Sequence, residues 1–233
     1  MRKALLLVAS PLIVTGLLAT VPALSADQTL PKNSTPPAAR LESGQNLVDK
    51  ATNIVNEMRK DTNLKQLMEK AKGIFIVPRY AKGGLIIGAQ GGQGILLRHR
   101  GSTWTMPVFY DTGGISFGLQ GGVSAGSVVM LLMTDKAVDR FRSNDRFALN
   151  AEAGITAVKY SAAGRATPGQ PDVILWSDGK GAYLGAALSV TDIHRNTEQN
   201  KAYYGQAVTE AAVNSGNLSN PGARKLTEVL PEG

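Results

Sequence analysis

The first clear pattern in the chain is an amphipathic helix near residue 50. Its apolar positions follow the 3.6-residue repeat that lets one helical face pack on a core. They are Leu47, Val48, Ala51, Ile54, Val55 and Met58. Ser43 is the predicted N-cap, because a serine oxygen can accept a hydrogen bond from a free N–H group of the first turn. A second, shorter helix is predicted for residues 63–71.

From Gly73 onward, short apolar runs and two-residue alternation replace the helical spacing, and both are typical of β-strands. Strands are predicted at residues 74–77, 94–97, 103–110, 127–133, 147–153, 173–176 and 182–190, with a turn at 98–102. Helices are predicted at residues 135–142, 196–213 and 223–230. Strands do not alternate with helices as in βαβ units, so the sequence predicts an α+β fold with a mainly antiparallel sheet.

A glycine-rich pattern occurs twice, as YAKGGLIIGAQGG at residues 80–92 and as YDTGGISFGLQGG at residues 110–122. In the second copy small or polar residues alternate with mostly apolar ones, which favours a strand. The alternative is a glycine-zipper helix, since glycines recur every fourth residue from Gly114 to Gly126, at a cost of about 1 kcal/mol each relative to alanine. Strands with bare faces can curve sharply or approach another backbone. We therefore expect a curved, glycine-rich sheet or partial barrel flanked by helices.

Residues 1–25 have the features of a secretory signal peptide. Arg2 and Lys3 precede an apolar run, which is followed by small residues that end at Ser25. The alternative is a membrane anchor, but a proline and a glycine interrupt the run, and a span needs roughly 20 predominantly apolar residues. We expect cleavage near Ser25 and a periplasmic or secreted protein.

Two further segments are predicted behind the signal peptide. Residues 26–40 are rich in Pro, Ser, Thr and Asn and are predicted to form a disordered tether. Residues 41–230 are predicted to form the domain. The chain has no cysteine, which excludes disulfides, thiol chemistry and a lipid anchor on cysteine.

The formal net charge of the chain is +7, and only two of its positive charges lie in the signal peptide. A basic excess favours acidic partners such as anionic lipid, polyanionic glycan or nucleic acid. Export makes nucleic acid the least expected of these partners. A basic surface without any partner is the alternative.

One short motif suggests catalysis. Residues 122–126, GVSAG, match the G-x-S-x-G nucleophile elbow. Two acids, Asp172 and Asp178, and then His194 follow Ser124, which is the chain order of a hydrolase triad. The elbow requires a strand, a sharp turn and a helix, whereas a strand-like segment follows Ser124. The flanking glycines already belong to the repeat. A serine hydrolase that uses Ser124 therefore stays an alternative function.

Other chemistry has little support in the sequence. His99 and His194 are the only histidines, and neither has a second ligand at metal-binding spacing. No phosphate-binding loop is present. We predict no metal site and no cofactor.

Basic residues surround the first glycine copy. If they cluster at one edge of the sheet, they could bind lipid phosphates, each charge near the surface contributing about 1 kcal/mol. A solvated rim is the alternative. The residues are Lys70, Lys72, Arg79 and Lys82 before or within the copy, and Arg98 and Arg100 in the predicted turn.

Several segments together resemble the SYLF domain, which occurs in bacterial exported proteins and in eukaryotic lipid- and actin-binding adaptors. They are KAKGIFIVPRYAKGGLIIGAQGGQGILL (70–97), MPVFYDTGGISFGLQGG (106–122), VVMLLMTDKAVDRF (128–141), FALNAEAG (147–154), DVILWSDGKGAYLGAALSV (172–190) and NKAYYG (200–205). The resemblance covers about residues 41–230. It implies phospholipid binding rather than catalysis.

In eukaryotic relatives an N-terminal amphipathic helix and basic residues help to bind phosphoinositides, and residues 47–58 take that place here. Actin and phosphoinositides are not expected where an exported bacterial protein resides. We therefore expect a non-catalytic protein of the cell envelope that binds anionic phospholipid or a membrane surface, with a purely structural envelope protein as a further alternative. The expected headgroup ligands are Lys72, Arg79, Lys82, Arg98 and Arg100.

Overall fold

The computed structural model describes residues 37–84, 87–117, 123–143, 146–162, 170–178 and 192–232. The helices in these ranges are α1 (Pro37–Met58), α2 (Thr62–Lys70), α3 (Asp135–Asp139), α4 (Thr197–Tyr204), α5 (Glu210–Ser215) and α6 (Arg224–Val229). The strands are β1 (Gly73–Gly84), β2 (Ile87–Arg100), β3 (Thr103–Trp104), β4 (Val108–Phe117), β5 (Val123–Leu132), β6 (Ala157–Lys159), β7 (Val173–Ser177) and β8 (Asp192–Arg195). The predicted α+β class is confirmed.

The eight strands form one sheet in the order β6-β7-β5-β1-β2-β4-β8, and β3 forms a hairpin with the end of β2. Every pairing is antiparallel except that of β6 with β7. The predicted, mainly antiparallel sheet is therefore confirmed. Strand β1 pairs on one side with β2, its neighbour in the chain. On its other side β1 pairs with β5.

The described parts of both glycine copies lie in strands rather than in a helix. The first copy occupies the end of β1 and the start of β2, and it pairs with the second copy in β4, so that Gly91 lies opposite Gly113. A side chain on Gly91 would place its Cβ 2.4 Å from the carbonyl oxygen of Thr112. On Gly92 the Cβ would lie 2.3 Å from the carbonyl oxygen of Arg79, at a β-bulge in β1. The bare positions thus allow close backbone approach, and the bulge bends the sheet.

Helices cover both faces of the sheet. On one face α1, α2 and α6 enclose a core that includes Ile74, Ile76, Ile95, Leu97, Val129 and Leu131. On the other face α3 and α5 enclose a core that includes Phe75, Tyr110, Met130, Phe141, Val173 and Ile193. Each large apolar side chain that is fully buried contributes about 1.5–3 kcal/mol. The sheet is therefore held between two hydrophobic layers.

The predicted apolar face of α1 is buried in the first of these layers. Val48, Ala51, Val55 and Met58 are all fully buried. The helix begins at Pro37, before the predicted N-cap Ser43, so the last four residues of the predicted tether are helical. Proline suits the first helical position, because its φ is already helical and its missing N–H group would have had no partner there.

Two predicted elements differ from the structure for local reasons. Residues 147–153 were predicted as a strand, but they make one bridge, from Phe147 to Ile193, and then a 3-10 turn. The side chain of Asn150 caps that turn by accepting a hydrogen bond from the N–H group of Ala153, and this competes with strand pairing. The helix predicted at 196–213 is two helices, because Gly205 adopts a left-handed φ of 68° that ends α4. The strand predicted at 182–190 lies outside the described residues.

Candidate functional site: a basic cleft at one end of the sheet

A cleft of about 470 Å³ lies where β1 begins and β2 ends. It lies between the end of α2, the helix α3 and the end of α5. Its lining residues are Glu69, Lys70, Ala71, Lys72, Arg98, His99, Arg100, Gly101, Thr105, Asp135, Val138, Arg142 and Asn214. We call it the basic cleft, because three arginines and two lysines line it against two carboxylates.

Strand register explains why these residues meet. Gly73 at the start of β1 lies opposite Arg98 near the end of β2 and opposite Leu132 at the end of β5. Lys72 continues both pairings, since its N–H donates to the carbonyl of Leu132 at 2.8 Å and its carbonyl accepts from His99 N–H at 3.0 Å. Helix α3 follows β5 directly, and its first turn is capped by the hydroxyl of Thr134. Three chain segments that are distant in sequence therefore converge at this end of the sheet.

Arg98 forms the buried rear wall of the basic cleft. Its side chain is 6% exposed, and its Nη1 lies 3.0 Å from Glu210 Oε2. Its Nη2 donates to Asn214 Oδ1 at 3.2 Å. The predicted turn at 98–102 is too long, because β2 continues to Arg100 and only Gly101 and Ser102 form the turn. Arg98 is therefore an interior strand residue with a fixed ion pair.

A second buried arginine shares the carboxylate of Glu210. Arg195 on β8 is 5% exposed on its side chain and also forms an ion pair with Glu210. Its Nη2 donates to the hydroxyl of Tyr110 at 3.2 Å. Burial raises the pKa of Tyr110, so its hydroxyl stays protonated and donates to the carbonyl of Phe141 at 2.8 Å. Two guanidinium groups against one carboxylate leave a net positive charge behind the cleft, which we call the arginine cluster.

Arg100 is exposed but anchored at the side of the cleft. Its Nη1 donates to the carbonyl oxygen of Asn214 at 3.0 Å, at the end of α5. The guanidinium lies over Gly216, where a Cβ would be 2.5 Å from Nη1. Gly216 has a φ of 74°, the left-handed conformation that ends α5. Arg100 thus presents only part of its guanidinium to the cleft.

Lys70 and Lys72 stand at the mouth of the cleft. Both are exposed, and among the described residues neither ammonium group takes part in an ion pair or a hydrogen bond. Arg142 on the opposite rim is paired with Asp139 at 2.9 Å on the surface. The two lysines are therefore the cations most available to an incoming anion.

His99 and Trp104 close the inner side of the cleft. Their ring centroids are 3.8 Å apart, and Trp104 Nε1 donates to the carbonyl of Pro231 at 2.8 Å. Burial lowers the pKa of His99, and the nearby Lys72 ammonium acts in the same direction. The imidazole is consequently neutral at pH 7.

The structure brings together three of the five predicted headgroup ligands, namely Lys72, Arg98 and Arg100. Arg79 lies roughly 20 Å further along β1, at about 3.3 Å per residue. It lines a separate groove of about 440 Å³ beside α1, together with Glu42, Leu47, Lys50 and Gln93. Lys82 lies on β1 near the glycine-rich end, and its side chain is outside the described residues.

Sequence reasoning missed Arg142 at the rim of the cleft and Glu210 behind it. Arg142 could have been placed at this end of the sheet, because it is the last residue of the helix predicted at 135–142 after a strand. Glu210 could not be found in this way, because its role depends on contacts with arginines far away in the chain. The local sequence around residue 210 gives no sign of these contacts.

The nucleophile elbow lacks the geometry that it needs. Ser124 lies within β5, opposite Lys82 of β1, and the strand continues to Leu132. His194 lies on β8, separated from β5 by three intervening strands of the sheet. Its ring nitrogens face Asp111 and Asp192, at 3.8 and 3.3 Å. The carboxylate of Asp178 instead accepts a hydrogen bond from the N–H group of Ser127 at 2.9 Å.

The described ranges contain neither a metal-binding cluster nor a membrane-spanning helix. No group of three or more histidine, aspartate or glutamate side chains in these ranges is arranged to hold a metal ion. Among the helices described, none combines the length and apolar character that crossing a bilayer requires. Leu41 on α1 is the one large apolar residue recorded as exposed in this part of the chain.

Comparison with known proteins gives a consistent family match. The model of the family Ysc84, described as "Las17-binding protein actin regulator", matches residues 113–232. Protein YSC84 of Saccharomyces cerevisiae is 26% identical over 162 residues, which are 67% of this chain and 35% of the yeast protein. SH3 domain-containing YSC84-like protein 1 of Bos taurus is 27% identical over 172 residues, which are 70% of this chain and 49% of the bovine protein. The chain thus spans between a third and a half of the length of these relatives. No solved structure matches it.

Proposed function

Because the chain belongs to the SYLF family, whose model is also named Ysc84, we propose that it is a non-catalytic protein that binds anionic phospholipid through the basic cleft. We further propose that it acts after export, at a bacterial cell envelope. The family description refers to Las17 binding and actin regulation. An actin partner is not proposed for an exported chain.

The observation that carries the proposal is the pair of lysines, Lys70 and Lys72, which have no partner among the described residues and stand at the mouth of a cleft with a buried arginine behind it. Phosphate oxygens accept strong, charge-assisted hydrogen bonds from lysine and arginine. The volume of about 470 Å³ lies within the usual range of about 300–1,000 Å³ for small-ligand sites. A phospholipid headgroup fits both the charge and the size of the site.

The apolar face of α1 is buried in the core, so it is not available for contact with a membrane. The amphipathic helix of the eukaryotic relatives led us to expect that residues 47–58 would contact lipid. In this chain Val48, Ala51, Val55 and Met58 are committed to the core. We therefore propose that the cleft, rather than the apolar face of α1, meets the lipid.

Flotation with vesicles tests the proposal. The wild-type protein should float with phosphatidylglycerol vesicles and not with phosphatidylcholine vesicles, and binding should weaken as salt rises above about 0.1 M, where the Debye length is about 10 Å. The double variant Lys70→Gln/Lys72→Gln should lose most of the binding. A matched control is Lys201→Gln/Lys225→Gln, which removes the same charge from exposed positions outside the cleft.

Two outcomes would count against the cleft. Equal loss in the two double variants would mean that only net charge matters, and equal recovery with both vesicle types would reject an anionic ligand. A third variant, Arg79→Gln, tests the groove beside α1. A loss of binding in that variant would assign the lipid to the groove beside α1 instead.

A further inference from the structure

A second groove adjoins the basic cleft along α2. It has a volume of about 800 Å³ and lies between α2 and the β6–β7 edge of the sheet. We call it the α2 groove. Its apolar lining comes from Leu67, Met133, Tyr160, Pro171 and Ile174.

The floor of the α2 groove is continuous with the hydrophobic core. Met133 and Ile174 are core residues with 4% and 3% exposure, and both line this groove. Leu67 and Tyr160 pack against the same core and are half-buried. A hydrocarbon chain in the groove would therefore extend the core and cover apolar surface that is now in contact with water.

Among the described residues, the rim of the groove carries little charge. Asn63, Gln66, Ser161 and Gln170 supply neutral polar groups, and Lys70 is the one charged residue that lines it among the described residues. An apolar floor with a neutral rim suits an uncharged chain. It does not suit a peptide, whose backbone would lose hydrogen bonds to water against Met133 and Ile174.

Lys70 joins the two sites. It is the last residue of α2 and lines both the basic cleft and the α2 groove. Leu67 lies three residues earlier, about 4.5 Å along the helix axis. A cation at the junction of a charged cleft and an apolar groove matches a ligand with a phosphate at one end and a hydrocarbon chain at the other.

We propose that the α2 groove holds an acyl chain of the phospholipid whose headgroup occupies the basic cleft. A protein docked on a bilayer then draws one lipid molecule towards itself, because a lipid left in place would keep its chain among its neighbours and the groove unused. This inference rests on the proposed function, but it adds a second site and a different mode of binding.

A chain-length series of soluble ligands tests the inference. The probes are glycerophosphoglycerol, which has no acyl chain, and dihexanoyl and dioctanoyl phosphatidylglycerol below their micellar concentrations, with binding measured by calorimetry. Affinity should rise with chain length, by up to about fourfold for each methylene that becomes buried. Equal affinity for all three probes would overturn the acyl-chain site and leave the proposed function standing.

Variants separate the two sites. Ser161→Trp adds a large side chain at an exposed position on the rim and should remove the chain-length effect without loss of core packing. Asn56→Trp, at an exposed position of α1, is the matched control and should keep the effect. Lys70→Gln should weaken all three probes by a similar factor. If Ser161→Trp keeps the full chain-length effect, the groove does not hold the chain.

The vesicle experiment shows whether only the acyl-chain site is wrong or whether the proposed function is wrong as well. Flotation with anionic vesicles but no binding of any soluble probe would mean docking on bilayers, which overturns this inference alone. No binding to the vesicles or to any probe would overturn the proposed function as well.

Discussion

The rear wall and the mouth of the basic cleft use the same kind of charge for different purposes. At the rear, Arg98 and Arg195 are buried and fixed on Glu210. At the mouth, Lys70 and Lys72 are exposed and have no counter-ion among the described residues. A buried charge must be paired, since an unpaired one costs several kcal/mol, whereas an exposed charge costs little and contributes little to stability. Stability should therefore depend on the rear wall and ligand binding on the mouth.

The largest effect on stability is expected from removing the carboxylate of Glu210, which both buried arginines share. Glu210→Gln would leave two buried guanidinium groups without a counter-ion, and the free energy of unfolding should fall by about 3 kcal/mol or more. Urea unfolding followed by circular dichroism measures the change. Glu228→Gln removes an exposed carboxylate from α6 and should leave stability unchanged. A similar small change in both variants would mean that the arginine cluster is not stabilised by its ion pairs.

A second buried charge lies outside the cleft and is stabilised mainly by neutral donors. Burial alone would raise the pKa of Asp172, but hydrogen bonds from Thr156 and Thr134, together with the Lys136 ammonium, lower it to about 2. A carboxyl whose folded pKa lies below its unfolded value of 3.8 stabilises the fold above about pH 4, and this stabilisation is lost as pH falls from about 4 towards 2.

Asp172→Asn should therefore lower the free energy of unfolding by about 2 kcal/mol at pH 7, and by progressively less between pH 4 and pH 2. Urea titrations at a series of pH values would show the two curves converging in acid. A constant difference between variant and wild type across that range would contradict the assignment.

Arg100 should give an intermediate result, because it is exposed but anchored. Its hydrogen bond to the carbonyl of Asn214 predicts that Arg100→Gln lowers the unfolding free energy by about 0.5–1.5 kcal/mol. The same variant should weaken binding to anionic vesicles to a smaller extent than loss of the two lysines. Stability and flotation need to be measured on the same preparation. A change in binding with no change in stability would mean that Arg100 acts as Lys70 and Lys72 do, in binding and not in support of the fold.

The smallest effect on stability is expected at the mouth itself. Lys70→Gln/Lys72→Gln should change the free energy of unfolding by less than about 0.5 kcal/mol, because neither lysine has a partner to lose in the part of the chain that the structure describes. Binding to anionic vesicles should nevertheless fall by roughly 30-fold, if each charge contributes about 1 kcal/mol at the surface. Thermal melting alongside the flotation assay provides both readings. A destabilised double variant would show that the lysines support the fold.

The sequence predicted those features of the fold that local spacing determines. The 3.6-residue repeat identified α1 and its buried face, and two-residue alternation placed the glycine copies in strands. Residues 147–153 were predicted wrongly, since Asn150 makes a local hydrogen bond that hydrophobic spacing does not reveal. Local hydrophobic spacing does not show which residues far apart in the chain come into contact.

The candidate site shows the same limit. Lys72, Arg98 and Arg100 were grouped because they surround the first glycine copy, and the structure brings them together because all three lie near the ends of paired strands. The burial of Arg98 was not anticipated, because a basic residue three positions before a glycine resembles a turn residue until Glu210 is known to face it. Arg79 was grouped with them by proximity in sequence, although distance along β1 separates it from the cleft.

The stacking of Trp104 on His99 provides the cleft with its own optical reporter. The chain has two tryptophans, and Trp176 lies on β7, away from this contact. The indole of Trp104 is 9% exposed, and its neighbour lines the cleft, so its emission is sensitive to a change in the charge or the position of that imidazole. In a Trp176→Phe background, fluorescence can follow occupation of the cleft in real time, without a dye and without a labelled lipid.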